Sequence, residues 1–177
     1  MNKLAYLFFA LLFLLSAESC HDRQGKNYNK EVQVQEVDPT TFIKDGIEGS
    51  MTEIKASGLA ITNSNNQKVI SLAKMLIEDH TKVDSALKEL KADKKITDSV
   101  TISSAHMATI NDISKKSGAV FDKAYLQLIV NDHEQAVKLY TSASNSSDSK
   151  IKKIASENLP AIKMHLDSAN KICIALK

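Results

Sequence analysis

The sequence predicts an all-α protein, an up-and-down bundle of four long helices with a short extra helix between the second and the third. Three observations predict it. The chain of 177 residues holds only 5 glycines and 2 prolines, whereas a β-sandwich needs many turns. Aromatic residues make up only 5% of the chain. Apolar residues recur at alternating three- and four-residue steps, the spacing of a helix with one buried face.

Charge and motif content argue against several functions. The formal net charge of +2 is small for a surface that binds phosphates, so no nucleic-acid partner is expected. The two cysteines, Cys20 and Cys173, form neither a disulfide framework nor a CxxC metal motif, so any metal site must use other residues. A Gly-rich phosphate loop, a nucleophile elbow and a zinc-protease motif are all missing from the sequence. An enzyme is therefore less favoured than a binding or structural protein.

Residues 1–19 predict an export signal. Lys3 precedes a short apolar run, Leu4 to Leu15, which is too short for a comfortable membrane span. The following Ser16-Ala17-Glu18-Ser19-Cys20 resembles a bacterial lipoprotein cleavage box, in which Cys20 becomes the lipidated first residue. Glu18 is unusual in such a box, so cleavage by an ordinary signal peptidase is the alternative. The expected location is the periplasm or outer membrane, with a lipid anchor at Cys20.

The mature chain divides into a tether and a domain. Residues 20–37 are polar and lack a helical apolar stripe, which predicts a flexible tether. The helical bundle domain is expected over residues 38–177.

Capping residues mark the expected helix ends. Asp38 can cap a helix that begins at Pro39, because proline fits the first helical position. Ser64 and Gln67 have capping-box spacing for the second helix, and Gly118 is placed to end the short one. The predicted long helices cover about 39–62, 67–91, 119–142 and 149–176, and the short helix covers about 99–116.

Three of the long helices carry one histidine in the middle of an apolar stripe. The second helix has the most regular stripe, formed by Val69, Ala73, Leu76, His80, Val83, Leu87 and Leu90. His133 and His165 occupy equivalent positions in the third and fourth long helices. The first helix has a face of small residues around Glu53. These registers place Glu53 and the three histidines opposite one another near the middle of the bundle.

Such a set of side chains predicts a site for one divalent transition metal. A buried carboxylate needs a partner or takes up a proton. Imidazole-rich ligation suits Zn(II), Cu(II), Fe(II) or Ni(II) better than Ca(II) or Mg(II). Asp84 is a further candidate ligand, while Asp79 and Asp132 are expected outside the ligand set or at the surface. In the alternative, each histidine is a core residue hydrogen-bonded to a backbone carbonyl or to Glu53, and no metal binds.

Two other residues, His106 and Met164, are of types that can bind metals, and the sequence gives an expectation for each. His106, on the short helix, is expected to be partly exposed rather than a ligand. Met164 lies beside His165, but the methionines are scattered, so a methionine-rich copper site is not favoured.

Several short motifs, in order along the chain, resemble the family called domain of unknown function 4142. After the export signal they are Glu53, Asp79-His80, Phe121-Asp122-x-x-Tyr125, Asp132-His133 and Leu159-Pro160-x-x-x-x-His165-Leu166. The resemblance covers about Thr41 to Leu176. It implies a ferritin-like bundle and export, since members are often labelled membrane or outer-membrane proteins. It implies no particular biochemical activity.

The ferritin-like comparison also argues against a di-iron centre. Di-iron bundles take a Glu from two helices and a Glu-x-x-His from each of the other two. The residues three positions before the three histidines are Ile77, Val130 and Ile162. Two functions therefore stand: an exported bundle that binds one metal, or a structural or interaction module of the cell envelope with a polar core.

Overall fold

The computed structural model describes residues 37–176, which form five helices and no strands. The helices are α1 (Pro39–Asn63), α2 (Gln67–Asp93), α3 (Ser104–Ile113), α4 (Gly118–Ala143) and α5 (Ser149–Ala175). The predicted all-α bundle with a short extra helix is confirmed. The predicted signal peptide, Cys20 and all but the last residue of the predicted tether lie outside the described residues. Over residues 37–176, the helices are too short or too polar to cross a membrane.

The first two helices begin at capped residues. Asp38 caps α1 by accepting a hydrogen bond from the backbone N–H of Thr41 at 2.9 Å, as the sequence indicates. The capping box predicted at Ser64 is wrong. Asn66 caps α2 by accepting from the N–H of Lys68 at 3.0 Å, while Ser64 Oγ accepts from the N–H of Asn66. Two hydrogen bonds, one accepted by the Ser64 side chain and one by the Asn66 side chain, therefore stabilise the turn between the two helices.

The short helix is shorter than expected at both ends. Ser103 caps it, accepting from the N–H of His106 at 3.1 Å, so α3 starts at Ser104 rather than near residue 99. Gly118 was expected to end this helix but instead begins α4, with a φ of 55°. A left-handed φ is inexpensive only for glycine, which explains the residue type at this position.

The four long helices form two hairpins. Residues 64–66 join α1 to α2, and residues 144–148 join α4 to α5, so each pair is antiparallel. Around the bundle, the neighbouring pairs are α1 with α2, α2 with α5, α5 with α4 and α4 with α1. Each long helix thus contacts one helix of its own hairpin and one of the other hairpin.

The connection between the hairpins runs the length of the bundle. At one end, Lys94 pairs with Asp148, next to the start of α5. At the other end, the Asn63 side chain donates to the carbonyl of Lys116 at 2.9 Å, next to the start of α4. Consequently α2 and α4 point the same way, so the predicted up-and-down order is wrong at this step, because residues 94–117 run back along the bundle before α4 begins. One long crossover is also a feature of ferritin-like folds, and membership of that group stays a prediction.

The apolar core follows the predicted helical stripes. All seven residues of the α2 stripe are buried. The small-residue face of α1 allows a close approach, because a Cβ added to Gly46 would lie 2.6 Å from Cδ1 of Leu87. Phe42 and Tyr140 pack edge to face nearby, with ring centroids 5.1 Å apart. This tightly packed end of the bundle lies beside a polar layer at its middle.

Candidate metal centre

The polar layer consists of one side chain from each long helix. Glu53 on α1, His80 on α2, His133 on α4 and His165 on α5 are all buried, with at most 6% of any residue exposed. The three imidazole rings form a nearly equilateral triangle, with centroids 5.4 to 5.7 Å apart. The helical registers expected from the sequence therefore bring these four residues together.

Among residues 37–176, the histidines of the layer have nitrogens that lack a hydrogen-bond partner. These are both ring nitrogens of His80, Nε2 of His133 and Nδ1 of His165. One nitrogen from each ring lies within 4.8 Å of one from each of the other two. In a tetrahedral zinc site, Zn–N bonds of about 2.1 Å place the ligand nitrogens about 3.4 Å apart. Each pair of histidine nitrogens would therefore have to move closer by at most ~1.4 Å to bind one zinc ion.

Two of these histidines are oriented by groups outside the triangle. His133 Nδ1 lies 3.0 Å from the carbonyl oxygen of Ile129, and a carbonyl can only accept, so Nδ1 donates. His165 Nε2 lies 3.1 Å from Oδ2 of Asp79 and donates to that carboxylate. In the neutral rings the opposite nitrogens then carry the lone pairs. They are the same nitrogens that lack partners, and such outer hydrogen bonds are typical of metal-binding histidines.

Glu53 lies beside the histidine triangle rather than within the 4.8 Å set. Its Oε2 is 3.1 Å from His80 Nε2 and 3.3 Å from His133 Nδ1, but neither contact has hydrogen-bond geometry. Burial opposes ionisation of Glu53, yet the nearby His133 and His80 outweigh burial and lower the pKa of the carboxyl. Glu53 is therefore a buried, ionised carboxylate.

The three histidines have different affinities for a proton. Burial lowers the pKa of His80, but the adjacent Glu53 raises it more, so the net shift is upward. Burial lowers the pKa of His133 despite the same carboxylate. Burial and the neighbouring His133 and His80 lower the pKa of His165 to about 4. Two of the three rings are thus held neutral near pH 7, the form that binds metals.

The remaining predicted candidate, Asp84, does not join the set. Its Oδ2 pairs with Nζ of Lys88, one turn later on α2, at 2.6 Å. Met164 is 46% exposed and therefore offers no thioether to the layer. Asp79 contacts His165 of the other hairpin, although it precedes His80 in sequence.

A second imidazole–carboxylate arrangement, which sequence reasoning missed, lies nearer the surface. His106 on α3 lies between two carboxylates, with Nδ1 2.8 Å from Glu48 Oε1 and Nε2 3.4 Å from Asp132 Oδ1. The N–H of Ser103 also donates to Glu48 at 2.8 Å. We call Glu48, His106 and Asp132 the α3 bridge, since they tie α3 to α1 and α4. Its partial exposure agrees with the expectation for His106.

The charges of the α3 bridge follow from these contacts. Burial lowers the pKa of His106, but Glu48 and Asp132 raise it more, so the net shift is upward. Burial and the proximity of Glu53 raise the pKa of Asp132 to about 7, although His106 opposes this. Burial also disfavours ionised Glu48, but the bonds from Ser103 and His106 lower its pKa overall.

A cavity connects the two arrangements. It has a volume of about 570 Å³ and is lined at its buried end by Glu53 and His80, and farther out by the three residues of the α3 bridge. The exposed Asp45 also lines it. The polar layer therefore has a path toward the surface between α1, α3 and α4.

Comparison with known proteins gives a family but no activity. The family model described as "Domain of unknown function (DUF4142)" matches residues 26–172. The chain belongs to this family. The match spans all five helices of this DUF4142 domain except the last residues of α5. No curated protein and no solved structure matches the chain, so its function must be argued from the polar layer.

Proposed function

We propose that the protein binds one divalent transition metal ion in the polar layer, with His80, His133 and His165 as nitrogen ligands and Glu53 as the carboxylate. One observation carries this proposal: three buried histidines leave nitrogens without partners, and those rings converge within 4.8 Å. Buried polar atoms in proteins are nearly always hydrogen-bonded. A cation would satisfy several of them at once.

The donor types limit the metal. Three imidazoles and one carboxylate suit Zn(II), Cu(II), Fe(II) or Ni(II), whereas Ca(II) and Mg(II) prefer oxygen ligands. A single ion is favoured because Ile77, Val130 and Ile162 stand where a di-iron bundle has bridging glutamates. Asp79 supports the site by fixing the orientation of His165, as carboxylates often do for metal-binding histidines.

The proposed location is the cell envelope, with the mature chain tethered through a lipidated Cys20. The short apolar run and the cleavage box ending at Cys20 support this. Changing Cys20 to Ala should move the protein from the membrane fraction to the soluble envelope fraction. Membrane retention equal to that of the wild type would contradict the lipid anchor.

A second candidate is an envelope module that binds no metal. It is favoured by the contacts of Glu53 Oε2 with His80 and His133, which already give the carboxylate two cationic or polar neighbours. In this case the layer is a hydrogen-bonded core that fixes how the two hairpins pack. The two candidates differ in what a metal does to the protein.

Elemental analysis of untagged protein and titration calorimetry with Zn(II) test the proposal. The wild type should bind one ion per chain, with affinity that falls as pH drops through about 6.5 because protons compete for imidazole. Bound metal should raise the melting temperature by linkage. His133→Ala should abolish most of this stabilisation, while His106→Ala should retain it. No saturable binding by the wild type at micromolar metal would favour the envelope module.

A further inference from the structure

The short helix α3 borders the cavity that leads to the polar layer and contributes His106 to its lining. Only Ile110 and Ile113, both in the C-terminal half of α3, are fully buried. In the N-terminal half, Met107 is partly buried against the core, and His106 contacts Glu48 on α1 and Asp132 on α4. Apolar packing is therefore strongest in the C-terminal half of α3, and the α3 bridge adds polar contacts in the other half.

The α3 bridge does not have the geometry of a second metal site. His106 uses Nδ1 toward Glu48 and Nε2 toward Asp132, so the two carboxylates face opposite sides of the ring. A metal ligand must offer a lone pair, whereas a ring placed between two carboxylates donates on both sides. The arrangement is that of an imidazolium joining two helices.

The lining of the cavity favours the passage of cations. Its lining is acidic in balance, with four carboxyl groups against one lysine and two histidines: Asp45, Glu48, Asp132 and Glu53, and Lys138, His80 and His106. Carboxylates along a partly enclosed path raise the local cation concentration and the association rate. The ionised Glu53 and the partnerless nitrogens of His80, both nearly fully buried, line the far end. The path thus ends on groups that lack a ligand.

We infer that this cavity is the route by which the metal ion enters and leaves the polar layer, and that His106, which lines the cavity between Glu48 and Asp132, narrows this route. The inference rests on the proposed metal site and assigns it a controlled entrance. His106 is a positioning residue that acts on the rate of exchange. It does not contact the bound ion, so the equilibrium affinity should depend little on it.

The test measures zinc exchange with the mature chain. Association is followed by stopped flow with a fluorescent zinc indicator, and release by transfer to excess EDTA. His106→Ala should speed both by about 10-fold, the change that about 1.4 kcal/mol in a barrier produces. The dissociation constant should stay within ~3-fold, roughly 0.65 kcal/mol. Glu48→Gln keeps the side-chain size and should also speed release, and it remains informative where His106→Ala fails to fold. Only its release rate is compared, because the lost charge by itself slows association.

Thr109→Ala is the matched control, because Thr109 is exposed on α3 and bonds only to the carbonyl of Ala105. It should exchange zinc at the wild-type rate. Release rates for His106→Ala and Glu48→Gln that equal those of this control would overturn the entrance while leaving the metal site intact. A wild type that binds no zinc would overturn both the proposed function and the entrance.

Discussion

Two groups of histidines and carboxylates lie at opposite ends of one cavity, and they differ in how well their atoms are partnered. His106 in the α3 bridge has a carboxylate at each ring nitrogen. In the polar layer, Glu53 contacts His80 and His133 while Asp79 bonds to His165, and each ring has at least one nitrogen without a hydrogen-bond partner among residues 37–176. The same residue types are thus more fully partnered in the α3 bridge than in the polar layer.

The difference shows which histidines require an explanation beyond packing. A buried polar atom left without a partner costs about 1–3 kcal/mol, so the polar layer reduces the stability of the empty protein. The α3 bridge has one such atom, Asp132 Oδ2, so its cost is smaller. A cation would offset the cost in the polar layer, whereas His106 offers it no lone pair. We therefore assign metal binding to the polar layer and metal access to the α3 bridge.

The largest expected contrast is between the two glutamates of α1. Glu53→Ala should lower the free energy of unfolding by about 3–5 kcal/mol, because it leaves the buried His80 without its charged partner. Glu48→Ala should cost only about 1–2 kcal/mol, since Glu48 and its partners are partly exposed and water can replace it. Urea denaturation at pH 7 measures both. Equal losses would show that the polar layer depends on Glu53 no more than the α3 bridge depends on Glu48.

The next contrast separates two aspartates of α2. Asp79→Asn should weaken zinc binding by about 10–100-fold, because an amide oxygen holds the orientation of His165 less strongly than a carboxylate. Asp84→Asn should leave the affinity within ~2-fold, about 0.4 kcal/mol, since Asp84 pairs with Lys88 outside the set. Titration calorimetry on both variants checks this. A larger loss of zinc affinity in Asp84→Asn than in Asp79→Asn would indicate that Asp84 is a ligand.

The third prediction concerns acid sensitivity of the metal-free protein. The pKa of His165 is about 4 in the folded state and about 6.5 in an unfolded chain. Between these values the unfolded state binds more protons, so stability falls as pH drops from about 6.5 to about 4. His165→Gln should flatten this part of the pH profile. Urea midpoints at pH 6.5 and 4.5 in the presence of EDTA give the comparison, with His106→Gln as the control that should keep the slope.

The smallest effect is expected for the α3 bridge and has the opposite sign. The pKa of His106 is raised by its carboxylates, so its stabilising contribution is complete below about pH 6.5 and disappears as pH rises through its folded pKa. Because the bridge is partly exposed, the contribution should be below ~1 kcal/mol. Wild type and His106→Gln should therefore differ slightly at pH 5.5 and not at pH 9. A difference that persists at pH 9 would mean that His106 acts through packing.

Much of the fold was predictable because helical periodicity is a local property of the chain. The α2 stripe was buried as expected, and the long helices start and end within two residues of their predicted limits. A buried stripe also fixes which residues meet in the core. Glu53, His80, His133 and His165 could therefore be brought together from the sequence alone, each from its own helix.

What could not be predicted depends on the path of the connection between hairpins. Residues 94–117 determine that α2 and α4 run parallel, and no local pattern specifies that direction. The same path places His106 between Glu48 and Asp132. The contact of Asp79 with His165 likewise joins the two hairpins and follows from their relative rotation. Sequence spacing along one helix gives no information on either contact.

The division of the polar layer between hairpins has a consequence for how long the folded protein lasts. Glu53 and His80 belong to α1 and α2, while His133 and His165 belong to α4 and α5. Half of the ligand set would remain on each hairpin if the two separated. A bound ion would thus link the two hairpins, and undocking would have to wait for the ion to leave. Resistance to proteolysis would then follow the rate of metal release rather than the strength of apolar packing.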